Sequence, residues 1–587
     1  MKRIKFTIIS VIFFHFYVFG AYLTNVPITI TQPDGTTIEC FATGDEYYNW
    51  AHDKDGYTII QDKNTGYYCY AILSGDELTT SQYVVGRVIP QSVNLTPHIN
   101  ISGDKIREKA NNIIRNTPQK AVLQNIGTQS RGATGTVNNI VVYIRFADQT
   151  EFDPEQSTYT TMFNDTNSGE NSMRNYFQEV SYNQLDVVSH FYPINNGTII
   201  LSYQDLYNRN YYRPYNAVTN PDGYFPSTQA QATREHALLS NAINYVASQI
   251  PSSLNIDYNN DGRVDNVCFI VRGESTDWGT DIILWPHKWS LYSQNVYING
   301  KRVYDYNFQL ESAASNHVLC HEMNHTFGAP DLYHYNEDRM QSVGPWDLMD
   351  NTLNPPQHMN VYMKYKYGGW ISSIPSITTS GTYTLQPLTS STNNCYKIPI
   401  NGSSQYIVVE YRKKTGVFES SIPGSGLIIY RINEAYSGNA NGVGAGGVSD
   451  EVYAFRPDGT TISKGDIYNA HFSGTSGRAT FNNSTNPYSF ISNGNYGNLC
   501  ISNIRENPNN TLSFDVKLFD GDYITYSNTN NLPASTNAYY SIQTSGMVVV
   551  KNTDNITFEA GNEIILGAGF EVELSGTFEI NMNECGN

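Results

Sequence analysis

The string His321-Glu322-Met323-Asn324-His325 constrains this chain more than any other feature. Two imidazoles four residues apart meet on one face, about one turn apart, only if the backbone between them is helical. A helix is therefore expected at about 313–327. Three residues beyond His325, Gly328 can take a left-handed conformation, end that helix and turn the chain back. Asp331 then comes round to face the same point as the histidines, with His334, Glu337 and Asp338 as alternatives at that place.

Two histidines and a carboxylate suit a catalytic zinc, which keeps one position open for water and lowers that water's pKa toward about 7. Glu322, adjacent to the first histidine, is aimed to take the proton as general base and later deliver it to a leaving amine. The plain alternative is an amphipathic core helix with hydrogen-bonded histidines. The extended spacing HExxHxxGxxD argues against it.

That spacing at 321–331, followed by Gly344-Pro345-Trp346-Asp347-Leu348-Met349-Asp350, resembles the immune inhibitor A-type family of secreted bacterial zinc metalloproteases, within the metzincin clan. The likeness runs from about 139 to 519 and includes NYFQEVSYNQLDV, ILWPHKWSL and YIVVEYRKKTGVFESSIPGSGLIIYRIN. The resemblance implies zinc ligation by His321, His325 and Asp331, with Glu322 as catalytic base. It also implies that Met349 supports the metal from a turn beneath it without ligating. Taken alone, Met349 reads as a pliable core residue. Residues before Gln129 resemble the propeptides of related exported proteases.

A second cation site is expected in IDYNNDGRVDNV. Asp257, Asn259, Asp261 and Asp265 stand at loop positions 1, 3, 5 and 9, with Gly262 at 6 and the Arg263 carbonyl between. Oxygen donors at that spacing suit calcium. Position 12 is Cys268 and not a bidentate Glu, so an Asx-rich turn is the competing reading. His287 reads as a packed histidine before it reads as an oxyanion donor. Cys40 reads as a small buried residue or a partner of Cys69 before it reads as a latency ligand for zinc. Cys320, beside His321 on the helix, reads as core packing.

The chain begins with basic Lys2, Arg3 and Lys5, an apolar run to Val18, and Gly20-Ala21, as an export signal does. Seven cysteines in 587 residues are too few and odd in number for a disulfide scaffold. The net charge of −18 opposes nucleic-acid binding.

The expected organisation is multidomain: a signal peptide at 1–21, a propeptide at 22–130 ending in an exposed linker at Arg131, and an α/β metzincin-like catalytic domain at 131–370. In that domain strands alternate with helices, giving a twisted sheet and the zinc-binding helix. An all-β, sandwich-like domain follows at 371–519. At 520–587 a small module of short, Gly-spaced strands suggests a stack or solenoid.

The expected function is a secreted zinc endopeptidase made as a zymogen, acting on protein or peptide substrates, with no membrane span after signal cleavage. The C-terminal β modules are candidates for glycan or cell-surface contact. The competing class is a binding or adhesion protein with a vestigial zinc site.

Overall fold

The computed structural model describes residues 23–45, 48–116, 133–195, 197–274, 282–335, 340–582 and 585. The expected signal peptide, the linker cut near Arg131 and the alternative ligands Glu337 and Asp338 lie outside the described residues. The fold is mostly β, with a few helices, and divides into several sheets. No helix among the described residues is long and apolar enough to cross a membrane.

The N-terminal unit is an antiparallel meander. Its strands β1 (Leu23–Thr31), β2 (Thr37–Gly44), β3 (Asn49–His52), β4 (Thr58–Gln61), β5 (Tyr68–Ser74) and β6 (Glu77–Val84) pair in chain order. Helix α1 (Gly103–Asn116) follows. Side chains alternate across β1 and β2, so Ile28, Ile30, Cys40 and Ala42 enter one buried face.

The next unit holds β7 (Gly135–Arg145), α2 (Gln156–Asn164), α3 (Met173–Val180), β8 (Leu185–Tyr192), β9 (Tyr203–Gln204) and α4 (Thr228–Val246). It continues with β10 (Asn266–Val271), β11 (His287–Ser290), the short pair β12 (Tyr297–Ile298) and β13 (Lys301–Arg302), β14 (Asp305–Leu310) and α5 (Asn316–Thr326). The sheet runs β11-β14-β10-β7-β8, with β9 also on β7. All pairings are parallel except β11 on β14, which is antiparallel and lies at the edge. Helices cover both faces, which is why β10 reads as an unbroken apolar run. Val267, Phe269 and Val271 pack on the α4 side, and Cys268 and Ile270 on the α5 side.

Beyond Trp370, Cys395–Pro399, Tyr406–Arg412, Gly426–Ile432 and Val452–Ala454 make an antiparallel sheet. Gly381–Leu385, Leu512–Lys517 and Cys500–Glu506 make a second. Ile407, Val409 and Tyr411 share a core with the second sheet. Tyr406, Val408 and Tyr430 instead share a core with Leu319 and Met323 of α5. The first sheet is therefore a middle layer, buried on both faces. One apolar core joins residues on either side of Trp370.

The last strands, from Gly521–Thr529 to Thr577–Met582, pair only in parallel. Ser535 faces Thr557, and Asn555 faces Thr577, so each coil takes roughly 22 residues, a spacing typical of stacked repeats. A Cys500–Cys585 disulfide ties the end of the chain to the all-β unit.

Candidate metal centre

Helix α5 is buried on nearly every side, from Val318 to Thr326. Its end follows from Gly328, whose φ of 98° is available to glycine at little cost. The Gly328 N–H donates to the His325 carbonyl at 2.9 Å and the Ala329 N–H to the Asn324 carbonyl at 3.1 Å, a Schellman closure. That closure delivers the Ala329 carbonyl to the ring of His325, whose Nδ1 donates to it at 2.7 Å. The Nδ1 of His321 donates likewise to the Leu348 carbonyl at 2.9 Å.

These two carbonyls decide the chemistry. A carbonyl only accepts, so each Nδ1 carries the hydrogen and each neutral Nε2 presents a lone pair. The two Nε2 atoms face one another at 3.0 Å. Asp331 Oδ1 lies 3.1 Å from Nε2 of His321 and 3.5 Å from Nε2 of His325. Asp331 Oδ1 is buried and accepts no aligned hydrogen bond among the described residues, while Oδ2 accepts from the Tyr335 hydroxyl.

Three buried acceptors thus converge, an arrangement that repels unless a cation sits among them. Ligands 2.0–2.1 Å from a tetrahedral zinc would stand about 3.3 Å apart, close to the spacings here. Among the described residues this is the group of His, Cys, Asp and Glu side chains able to hold a metal ion. Without an ion, a proton takes its place. Burial opposes charge on His321, but the Asp331 carboxylate outweighs it and raises the histidine. Burial and the charge on His321 hold His325 well below its usual value, and burial raises Asp331.

Glu322 is buried on α5 beside the first histidine, close enough to the sheet that its charge, after burial itself, raises the thiol of Cys268. Met349 is buried in the core shared with α5. Its neighbour's carbonyl orients His321, and its own accepts from Leu332 N–H at 2.8 Å. The turn at Met349 thereby holds His321 and the segment that carries Asp331. Sequence reasoning had no signal for the roles of the Leu348 carbonyl or of Tyr335.

The other expected residues fall elsewhere. His287 is buried on the α4 side, with Nε2 on Glu235 at 2.9 Å, Nδ1 on the Trp285 carbonyl at 2.7 Å and its ring on Phe308. It is a packed histidine. Cys320 is core, with its thiol on Asn316. Cys40 is buried in the N-terminal core, unbonded to Cys69, and burial with the charges of Asp53 and Glu274 pushes its thiol up to about 12.

In the acidic loop the expected oxygen donors take part in local hydrogen bonds. Asp257 accepts from the Asp261 and Gly262 amides at 2.9 and 3.1 Å and from Lys301 Nζ at 2.6 Å. Asn259 accepts from the Asp261 amide, Asp261 from the Arg263 amide, and Asp265 from the Tyr258 amide. These bonds form Asx turns, with Lys301 paired to Asp257.

The N-terminal unit reaches this region. Its core of Ile28, Ile30, Cys40 and Ala42 is completed by Trp285, just before β11, and by Val318, one turn before Glu322 on α5. No protein-family model matches the chain, and no curated protein matches it.

Proposed function

We propose that the chain is an exported zinc-dependent endopeptidase with a metzincin-like catalytic unit. The observation that carries the reading is the buried convergence of two imidazole lone pairs and the Asp331 carboxylate. Zinc, when bound by these three, would polarise the scissile carbonyl and activate a water.

Glu322 takes the proton of that water and returns it to the departing amine. Its burial places this transfer in a low-dielectric site. A peptide is favoured over other acyl substrates because β11 pairs only with β14 among the described residues. An extended chain would add as a strand on the other edge of β11. The Cys500–Cys585 disulfide is consistent with export to an oxidising compartment.

The contact of the N-terminal unit with Trp285 and Val318 supports latency, since a substrate beside α5 would compete for the same surface. Glu322→Gln tests the chemistry. Zinc content should stay at wild type, and cleavage of an unfolded protein should fall at least about 100-fold. A Glu322→Gln chain that cleaves normally would remove this mechanism.

A further inference from the structure

Asp331 sits on a loop, and a ligand on a loop needs holding. One side is held by the Leu332 N–H on the Met349 carbonyl. The other side is held by Asn439, in the all-β unit, 107 residues from Leu332 in sequence. The Asn439 N–H donates to the carbonyl of Asp331 at 2.9 Å, and its Nδ2 donates to the carbonyl of Leu332 at 2.9 Å. Asn439 is itself fixed, with Nδ2 on the Val452 carbonyl at 2.7 Å and Oδ1 accepting from the Val452 N–H at 3.1 Å. It is fully buried.

The approach is close because the preceding residue is glycine. Gly438 has a φ of 68°, and a Cβ there would stand 2.6 Å from Pro330 Cβ and 2.8 Å from the Asp331 carbonyl oxygen. Two further contacts extend the clamp. The Tyr335 N–H donates to the Ala440 carbonyl at 3.0 Å, and His334 meets Asp450 at 2.7 Å.

We propose that Asn439 is a positioning residue for the metal ligand Asp331, so that the all-β unit completes the metal centre. This rests on the metal reading of the site. Groups that hydrogen-bond and orient metal ligands influence metal affinity without touching the ion, typically by 10–100-fold.

The test uses the full chain, zinc with a competing chelator, and cobalt as a spectroscopic substitute. Asn439→Ala should weaken zinc about 10–100-fold and shift the visible cobalt spectrum toward that of Asp331→Asn. A folded Asn439→Ala chain with wild-type affinity and spectrum overturns the proposal.

Hydrogen exchange on the unaltered chain gives a second test that needs no variant. Coupling between a clamp and a ligand is reciprocal, so removing zinc should speed exchange at 438–452. Unchanged exchange there overturns the proposal as well. A wild type that binds zinc tightly without cleaving protein removes the endopeptidase reading alone. One that binds no zinc removes the metal centre and the role of Asn439 with it.

Discussion

At the scale of single residues, the proposed centre depends on carbonyls and buried carboxylates as much as on His321, His325 and Asp331 themselves. Asp350, next to Met349, accepts from the Val343 and Gly344 amides, both at 2.7 Å, and so closes the turn that orients His321. Burial, only partly offset by those amides, pushes its carboxyl up to about 8. The folded chain then holds a proton that the unfolded chain, with a carboxyl near 3.9, has released. The contribution of Asp350 is therefore full below about pH 4 and is lost as pH rises toward 8. The thermal midpoint of the wild type should fall between pH 5 and pH 8, and Asp350→Asn should flatten that fall. An identical slope in the variant would show that Asp350 ionises normally.

At the scale of elements, helix α5 was legible because histidines at i and i+4 leave the backbone one option, and its bounds of 316–326 sit inside the expected 313–327. Gly328 and Asp331 were legible for the same local reason. The parallel coils at the C-terminus were legible from glycines between short β runs. Asn439 was not legible, since nothing near it in sequence refers to a loop 107 residues away. Nor was the pairing of Asp257 with Lys301, 44 residues away in sequence. The six-stranded N-terminal unit, expected as a propeptide from its position, makes its own prediction. Ile30 is 1% exposed in the core that includes Val318. Ile30→Asp places a charge there and should loosen the unit, so that the uncut chain gains cleavage activity. If the uncut variant stays as inactive as the uncut wild type while its N-terminal unit is shown to be unfolded, that unit is not the block.

At the scale of the whole molecule, the sheet containing Tyr406–Arg412 and Gly426–Ile432 belongs to two cores at once. Its fully buried and largely apolar runs, YIVVEY and GLIIYRI, fit a layer covered on both faces. Arg412 within that layer is fully buried and bound to Glu419 and the Trp346 carbonyl, which again joins the two stretches. A fragment ending at Trp370 should therefore expose Leu319, Met323 and Trp346 and aggregate when expressed, while a fragment running to Phe519 stays in solution. A soluble, zinc-binding fragment 133–370 would show that the two stretches fold independently.

In the proposed function His321, His325 and Asp331 hold one zinc ion with a position left open. X-ray absorption at the zinc edge of the purified full chain tests it most directly. Nitrogen and oxygen scatterers are expected at about 2.0–2.1 Å, two of them imidazoles, with no sulfur. A sulfur scatterer at about 2.3 Å, or the same spectrum from Asp331→Asn, would contradict it.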